Sequence, residues 1–173
     1  MNRQSVQRLV ETAVALALSG VLHAFKVYQM PQGGSITLGS MVPIFYIALR
    51  WGGGWGILTG VLASGIIYLT EPVFVHPLQV ILDYPIAFGV LGVAGFFRTQ
   101  PVFGIIVGGV GRFAAHFLSG VVYFASYAPK GVSPVAYSAA YNASYMVPEL
   151  LFSIILTIIV LRIMQRARPV PQA

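Results

Sequence analysis

Six stretches of this chain, near residues 7–26, 36–50, 54–71, 77–97, 102–125 and 143–164, are almost free of charge. A helix needs about 20 mostly apolar residues to cross the hydrocarbon of a bilayer. These runs are continuous rather than alternating, which argues against strands and a closed barrel. Charged residues make up 8% of the chain and hydrophobic residues 57%, against roughly 25% charged in an ordinary soluble domain. The expected fold is therefore all-α: a single integral membrane bundle of six transmembrane helices spanning residues 1–173.

Lys and Arg set the orientation of such a bundle. With both termini cytoplasmic, Arg3, Arg8, Arg50, Arg98, Arg162, Arg166 and Arg168 fall inside, Lys26 and Lys130 fall outside, and Arg112 lies within a helix. That distribution accounts for the formal charge of +6 without nucleic acid as a partner. Trp51 and Trp55 then sit at the inner interface, and loops 27–35, 72–76 and 127–142 face outward. The first apolar stretch holds Glu11 and His23 with no clear cleavage site after it, and reads as a retained helix. The chain has no cysteine, which excludes disulfides, thiolate metal sites and cysteine nucleophiles. No His, Asp and Glu spacing resembles a metal site. A Walker A motif is also absent.

Ionisable groups inside spans are costly and mark functional sites by default. Here they are Glu11, Asp83, Arg112, His116 and Glu149. Asp83 precedes Tyr84 and Pro85, and the proline loosens the helix locally. Two readings of Asp83 stand: an ion pair with Arg112, or an anion for a cationic ligand. Arg112, His116, Ser119, Gly120 and Tyr123 share roughly one helical face. His116 is either a satisfied buried polar group or part of a cavity, with Gly120 leaving room for a close approach. Glu149, beside Pro148, has three readings, a ligand contact, a protonated carboxyl or a structural partner of Arg112, of which the pairing is favoured.

The aromatic stretch "YAPKGVSPVAYSAAYN" (127–142) is expected to lie at the outer edge, with Phe124 just below it. Aromatic faces attract cations and stack on flat heterocycles, and Asn142 offers both a donor and an acceptor. An interfacial aromatic belt would account for Tyr127. Tyr137 and Asn142, together with Asp83, suit a small, flat, cationic or amino-bearing heterocycle arriving from outside. On helix 1, Ala13, Ala17, Gly20 and Ala24 form a small-residue face that serves either packing within the bundle or docking of another membrane protein.

The segments "PQGGSITLGSMVPIFYIALRWG", "HPLQVILDYPIAFGVLGVAG", "GRFAAHFLSGVVYFASYAPKG" and "YSAAYNASYMVPE" together resemble the thiamine-specific S component of energy-coupling factor (ECF) transporters. The resemblance implies a six-helix vitamin binder of the bacterial cell membrane, with no catalytic activity and no cofactor of its own. It implies as partners a transmembrane coupling subunit, docked on Ala13-x-x-x-Ala17, and two cytoplasmic ATPase subunits. By the same resemblance the thiamine site falls on Asp83, Tyr84, His116 and Phe124, with Tyr137 and Asn142 from the loop before helix 6. Gln32 and the glycines of "PQGGS" would close over the ligand as a lid. Asp83 stands where the family pattern expects glutamate, Phe124 where it expects tryptophan, and the lid lacks a tryptophan. A related heterocycle such as a thiamine precursor is the alternative ligand. Two other classes are an intramembrane enzyme using Asp83 and His116 with Ser119 or Ser138 as nucleophile, and an assembly subunit.

Overall fold

The computed structural model describes residues 2–166; Arg168, one of the arginines assigned to the inner side, lies outside them. Six helices make the bundle: α1 (Arg3–Ala24), α2 (Val42–Trp51), α3 (Gly53–Thr70), α4 (Pro77–Phe96), α5 (Pro101–Tyr123) and α6 (Pro134–Arg166). All but α2 are long and apolar enough to cross a membrane. Their outer surface is the reverse of a soluble protein's, with Leu9, Leu69, Val110, Leu118, Ile155 and Ile163 all exposed. Such a surface is stable only against lipid.

The arginines mark one end of the bundle. Arg50 pairs with Glu11 at 3.2 Å, and the same carboxylate accepts from Trp51 Nε1 at 2.8 Å, tying α1 to α2. Arg8 lies 5.2 Å from the ring centroids of both Trp51 and Trp55. Arg98 donates to the carbonyls of Leu49 and Arg50 at the end of α2. Lys26 is at the opposite end, which carries the feature that the apolar runs concealed. Residues expected to be loop and helix form a small antiparallel hairpin, β1 (Lys26–Gln29) and β2 (Ser35–Thr37). Its turn is closed by Met30 and Gly34, with Gly33 at φ 91°, a conformation that favours glycine.

The second helix consequently starts at Val42 rather than near 36. Ten residues rise only about 15 Å, so β2 and residues 38–41 fill the remaining depth as irregular backbone. That is tolerated in a membrane protein only where protein surrounds it, and Ser35, Thr37, Ser40 and Met41 are all buried. The sixth helix starts at Pro134, well before residue 143. Ser133 caps it, its Oγ accepting from Ala136 N at 3.2 Å, and proline at the first helical position needs no donor. "YSAAYN" is therefore helix and not loop.

The fourth helix changes character along its length. Pro85 cannot donate, and residues Leu82–Ile86 adopt π geometry in which Ala87 N returns to Leu82 O. Beyond it Val90–Phe96 tightens to 3-10 geometry. Three residues per turn bring Gly89, Gly92 and Gly95 into line. Helices α2 and α3 pack directly on that stripe: a Cβ on Gly92 would lie 2.0 Å from Ile57 N, and one on Gly95 2.4 Å from Ala48 O. Around this contact Phe45, Ala48, Ala63, Phe88, Leu91 and Ile105 form the core.

Gly92→Ala should therefore lower stability by about 1–3 kcal/mol through overpacking, read as an earlier thermal unfolding transition in detergent. Gly54→Ala, where a Cβ meets nothing within 4 Å, should stay within about 0.5 kcal/mol of the parent.

Candidate ligand-binding site

A cavity of about 370 Å³ lies at the hairpin end, enclosed by α4, α5, α6, the end of α3 and the hairpin. Asp83, Tyr84, His116, Phe124, Tyr137, Asn142 and Gln32, the residues assigned to the ligand from sequence, all line it. The volume fits a small heterocyclic ligand.

The π turn of α4 aims Asp83 at α5. Its Oδ1 lies 3.1 Å from His116 Nδ1, and its Oδ2 accepts from Ser119 Oγ at 2.9 Å and from Gln79 Nε2 at 2.7 Å. Arg112, one turn from His116, donates from Nε to His116 Nε2 at 3.5 Å. Donation of Nδ1–H to the carboxylate and acceptance at Nε2 are the two halves of one neutral tautomer. Arg112 is buried, with its Cζ 4.3 Å above the Phe88 ring. Among the described residues it forms no ion pair, so neither pairing expected of it, with Asp83 or with Glu149, is found. The intervening imidazole separates guanidinium from Asp83.

Glu149 has a different partner. Its Oε2 accepts from Thr37 N at 2.5 Å and its Oε1 from Thr37 Oγ1 at 2.6 Å. Thr37 Oγ1 in turn accepts from Ser40 N at 3.0 Å. The carboxylate thus clamps the base of β2 to α6 and satisfies backbone that has left regular structure inside the bundle.

Helix α6 presents Tyr137, Tyr141 and Tyr145 at intervals of four, on one face. Neighbouring rings in this ladder have centroids 5.9 Å and 5.8 Å apart. Tyr141 Oη accepts from both Gln32 N at 3.2 Å and Gly34 N at 3.3 Å, seating the hairpin tip over the cavity. Gly34 lies against the next ring, where a Cβ would be 2.6 Å from Tyr145 Cε1. The sequence singled out the aromatics but not Tyr141 as the hairpin's seat; only the pairing of helix with hairpin reveals that.

Several assigned roles shift. Asn142 and Tyr137 come from the first turns of α6 rather than from a loop. Asn142 is buried; its Nδ2 donates to Ser138 O at 2.9 Å and its Oδ1 accepts from Tyr145 Oη at 2.8 Å. Tyr84 Oη accepts from Val73 N and donates to Glu71 O, both at 3.0 Å, so it fastens the α3–α4 loop. What approaches Gly120 is α6 itself, since a Cβ there would lie 2.2 Å from Ser138 Oγ. Ser119 is bonded to Asp83 and Ser138 to the Phe117 carbonyl at 2.9 Å; among the described residues neither reaches His116 as a nucleophile would. Phe124 ends α5 at the cavity mouth, its ring centroid 6.1 Å from that of Tyr127. Sequence reading passed over two further lining residues, Glu71 and His23. They stand at the ends of α3 and α1, where an ionisable residue looks like an ordinary boundary.

Tyr141→Phe removes the oxygen shared by the Gln32 and Gly34 amides while keeping the ring. Amide hydrogen exchange should rise in residues 30–34 by about tenfold to a hundredfold, the equivalent of two lost hydrogen bonds of about 1 kcal/mol each, and stay unchanged in α3.

Comparison with known proteins accords with this geometry. The family described as Thiamine transporter protein matches residues 9–168. The chain is 36% identical to the thiamine transporter ThiT of Bacillus subtilis over 169 residues, covering 86% of this chain and 88% of the relative. It is 32% identical to ThiT of Lacticaseibacillus paracasei over 190 aligned positions, 93% of this chain and 88% of the relative. The solved structure of ThiT from Listeria monocytogenes superposes with a TM-score of 0.84 at 25% identity, over 95% of this chain and 98% of that one. These relatives are transporters and not enzymes. By the match across nearly its whole length, the chain belongs to the thiamine transporter family.

Proposed function

We propose that this protein is the thiamine-capturing S component of an ECF-type uptake system in the bacterial cell membrane. It takes thiamine from outside, at the hairpin end, and relies on partner subunits for energy. The observation that carries the reading is a cavity whose lining combines Asp83, His116 and a tyrosine ladder under a seated hairpin. Thiamine joins an aminopyrimidine to a permanently cationic thiazolium. Asp83 supplies an acceptor for the pyrimidine amino group, held in a fixed direction by His116, Ser119 and Gln79. Phe124 and His116 supply faces for stacking. Tyr137, whose hydroxyl has no protein partner among the described residues, is free to bond the pyrimidine. Asn142 fixes Tyr145 and Ser138 beneath it, and Gln32 closes over the ligand with the hairpin.

Partner docking is assigned to α1. Ala13 and Ala17 are exposed, whereas Thr12, Ala15, Ser19 and His23 form the buried face. Gly20 belongs to the bundle, with Ile66 packed against it. A small-residue pair on an otherwise exposed helix suits close packing against a transmembrane coupling subunit, with two cytoplasmic ATPase subunits beyond it.

Isothermal titration of folded protein, verified free of copurified ligand, is expected to show tight thiamine binding and none for riboflavin or biotin. Asp83→Ala should weaken thiamine about a hundredfold or more. Thiamine failing to bind such protein, with a hydroxymethylpyrimidine binding instead, would transfer the site to a precursor. In cells, Ala13→Leu with Ala17→Leu should abolish thiamine uptake and leave the titration unchanged. Loss of binding in that double variant would sink the docking assignment.

A further inference from the structure

Three fully charged side chains line the cavity: the carboxylates of Asp83 and Glu71 and the guanidinium of Arg112. Asp83 and Arg112 belong to one hydrogen-bonded chain through His116, in which both Asp83 oxygens already accept from protein donors. The deep end of the cavity therefore carries no net charge. A permanently cationic ligand seated there would be met by as much positive charge as negative. At the mouth stands the second lining carboxylate, Glu71, whose counter-ion Lys26 is not among the residues that line the cavity.

Glu71 closes α3, and its main chain is fixed because its carbonyl accepts from Tyr84 Oη at 3.0 Å. Its side chain is freer, 41% exposed, and its two oxygens are unequally used. Oε1 is bonded to Lys26 Nζ at the start of β1. Among the described residues Oε2 has as its polar neighbour His23 Nε2, at 3.7 Å, beyond hydrogen-bond length. Lys26 pairs with Thr37 across the hairpin, so the ammonium resting on Glu71 belongs to the element that closes the site.

We propose that Glu71 is a second ligand-binding carboxylate, whose open oxygen takes the positive ring of the ligand and which the ligand shares with Lys26 of the hairpin. This rests on a cationic heterocycle, thiamine, being the ligand. Asp83 orients the deep end, and Glu71 selects for charge at the mouth. Lys26 and the ligand then compete for one carboxylate, which links the positive charge of the ligand to the seating of the hairpin.

The test compares thiamine with its neutral thiophene isostere, in which the charged ring nitrogen is replaced by carbon, on the full purified protein. Glu71→Gln keeps the volume and removes the charge. It should weaken thiamine about tenfold and the isostere less than threefold. Binding of the isostere at the same time reports a folded site. Lys26→Gln should raise the preference for thiamine over the isostere, because the competing ammonium is gone; this second variant decides the matter should Glu71→Gln fail to fold. Equal losses for both ligands in Glu71→Gln would mean that Glu71 acts only through the hairpin, and would overturn the proposal. So would an unchanged thiamine affinity, or an unaltered or reduced preference in Lys26→Gln. A parent protein that binds neither compound would instead refute thiamine as the ligand.

Discussion

A backbone amide that leaves its helix inside a bilayer has no water to turn to, and this bundle leaves its helices repeatedly on one side. Side chains take the place of water at each break. Glu149 receives Thr37 N, and Tyr141 receives Gln32 N and Gly34 N. Tyr84 bridges Val73 N and Glu71 O, and Gln79 Oε1 receives Val75 N at 3.0 Å. Tyr141 and Tyr84 also line the cavity, and Gln79 is bonded to Asp83 in its wall. The constraint that unsatisfied backbone is costly in hydrocarbon has placed these side chains, and ligand chemistry is built into what they leave over. Gln79 illustrates this: one end of its amide holds the loop, and the other steadies Asp83.

The opposite end of the bundle is regular and rests on contacts of another kind. There α2, α3 and the 3-10 half of α4 touch backbone to backbone along Gly89, Gly92 and Gly95. Hydrocarbon supplies no hydrophobic drive for helices to associate, so close packing between small residues has to hold them. One helix therefore serves both ends. Its π turn opens the wall of the cavity at Asp83, and its tight half anchors the scaffold that keeps the wall still. The division follows from Pro85, which breaks the regular bonding, and from a glycine at every third position after it.

The spans were legible because continuous apolar runs have few alternatives, and the arginines assigned to one side, Arg8, Arg50 and Arg98, do gather at one end of the bundle. Asp83, His116, Tyr137 and Asn142 were legible because polar groups stand out in such a background. What sequence could not deliver was pairing. Lys26–Thr37 is too short and too mixed in character to announce a hairpin, and its partners, Tyr141 and Glu149, are more than a hundred residues away along the chain. α6 starts earlier than its apolar run: a tyrosine-rich, polar stretch reads as loop, although Ser133 followed by Pro134 is a helix-start signal. Glu149 was assigned to Arg112 by charge alone. In the structure the need of bent backbone for an acceptor outweighs the attraction of a distant guanidinium.

The seat of the hairpin tip on Tyr141 has a further implication. Both bonds that hold it come from main-chain amides, of Gln32 and Gly34, and converge on one oxygen. On Tyr141 the tip of the lid is thus gripped by its peptide skeleton, while side chains, Lys26 on Glu71 and Thr37 on Glu149, hold the hairpin's base. The composition of the tip is free to drift as long as Gly34 still fits against the Tyr145 ring. A family built on this bundle could exchange lid sequences, and with them the face shown to the ligand, without redesigning how the lid shuts. Closure and selectivity become separately inheritable, and the lid is the natural segment in which to graft a new ligand preference onto an unchanged frame.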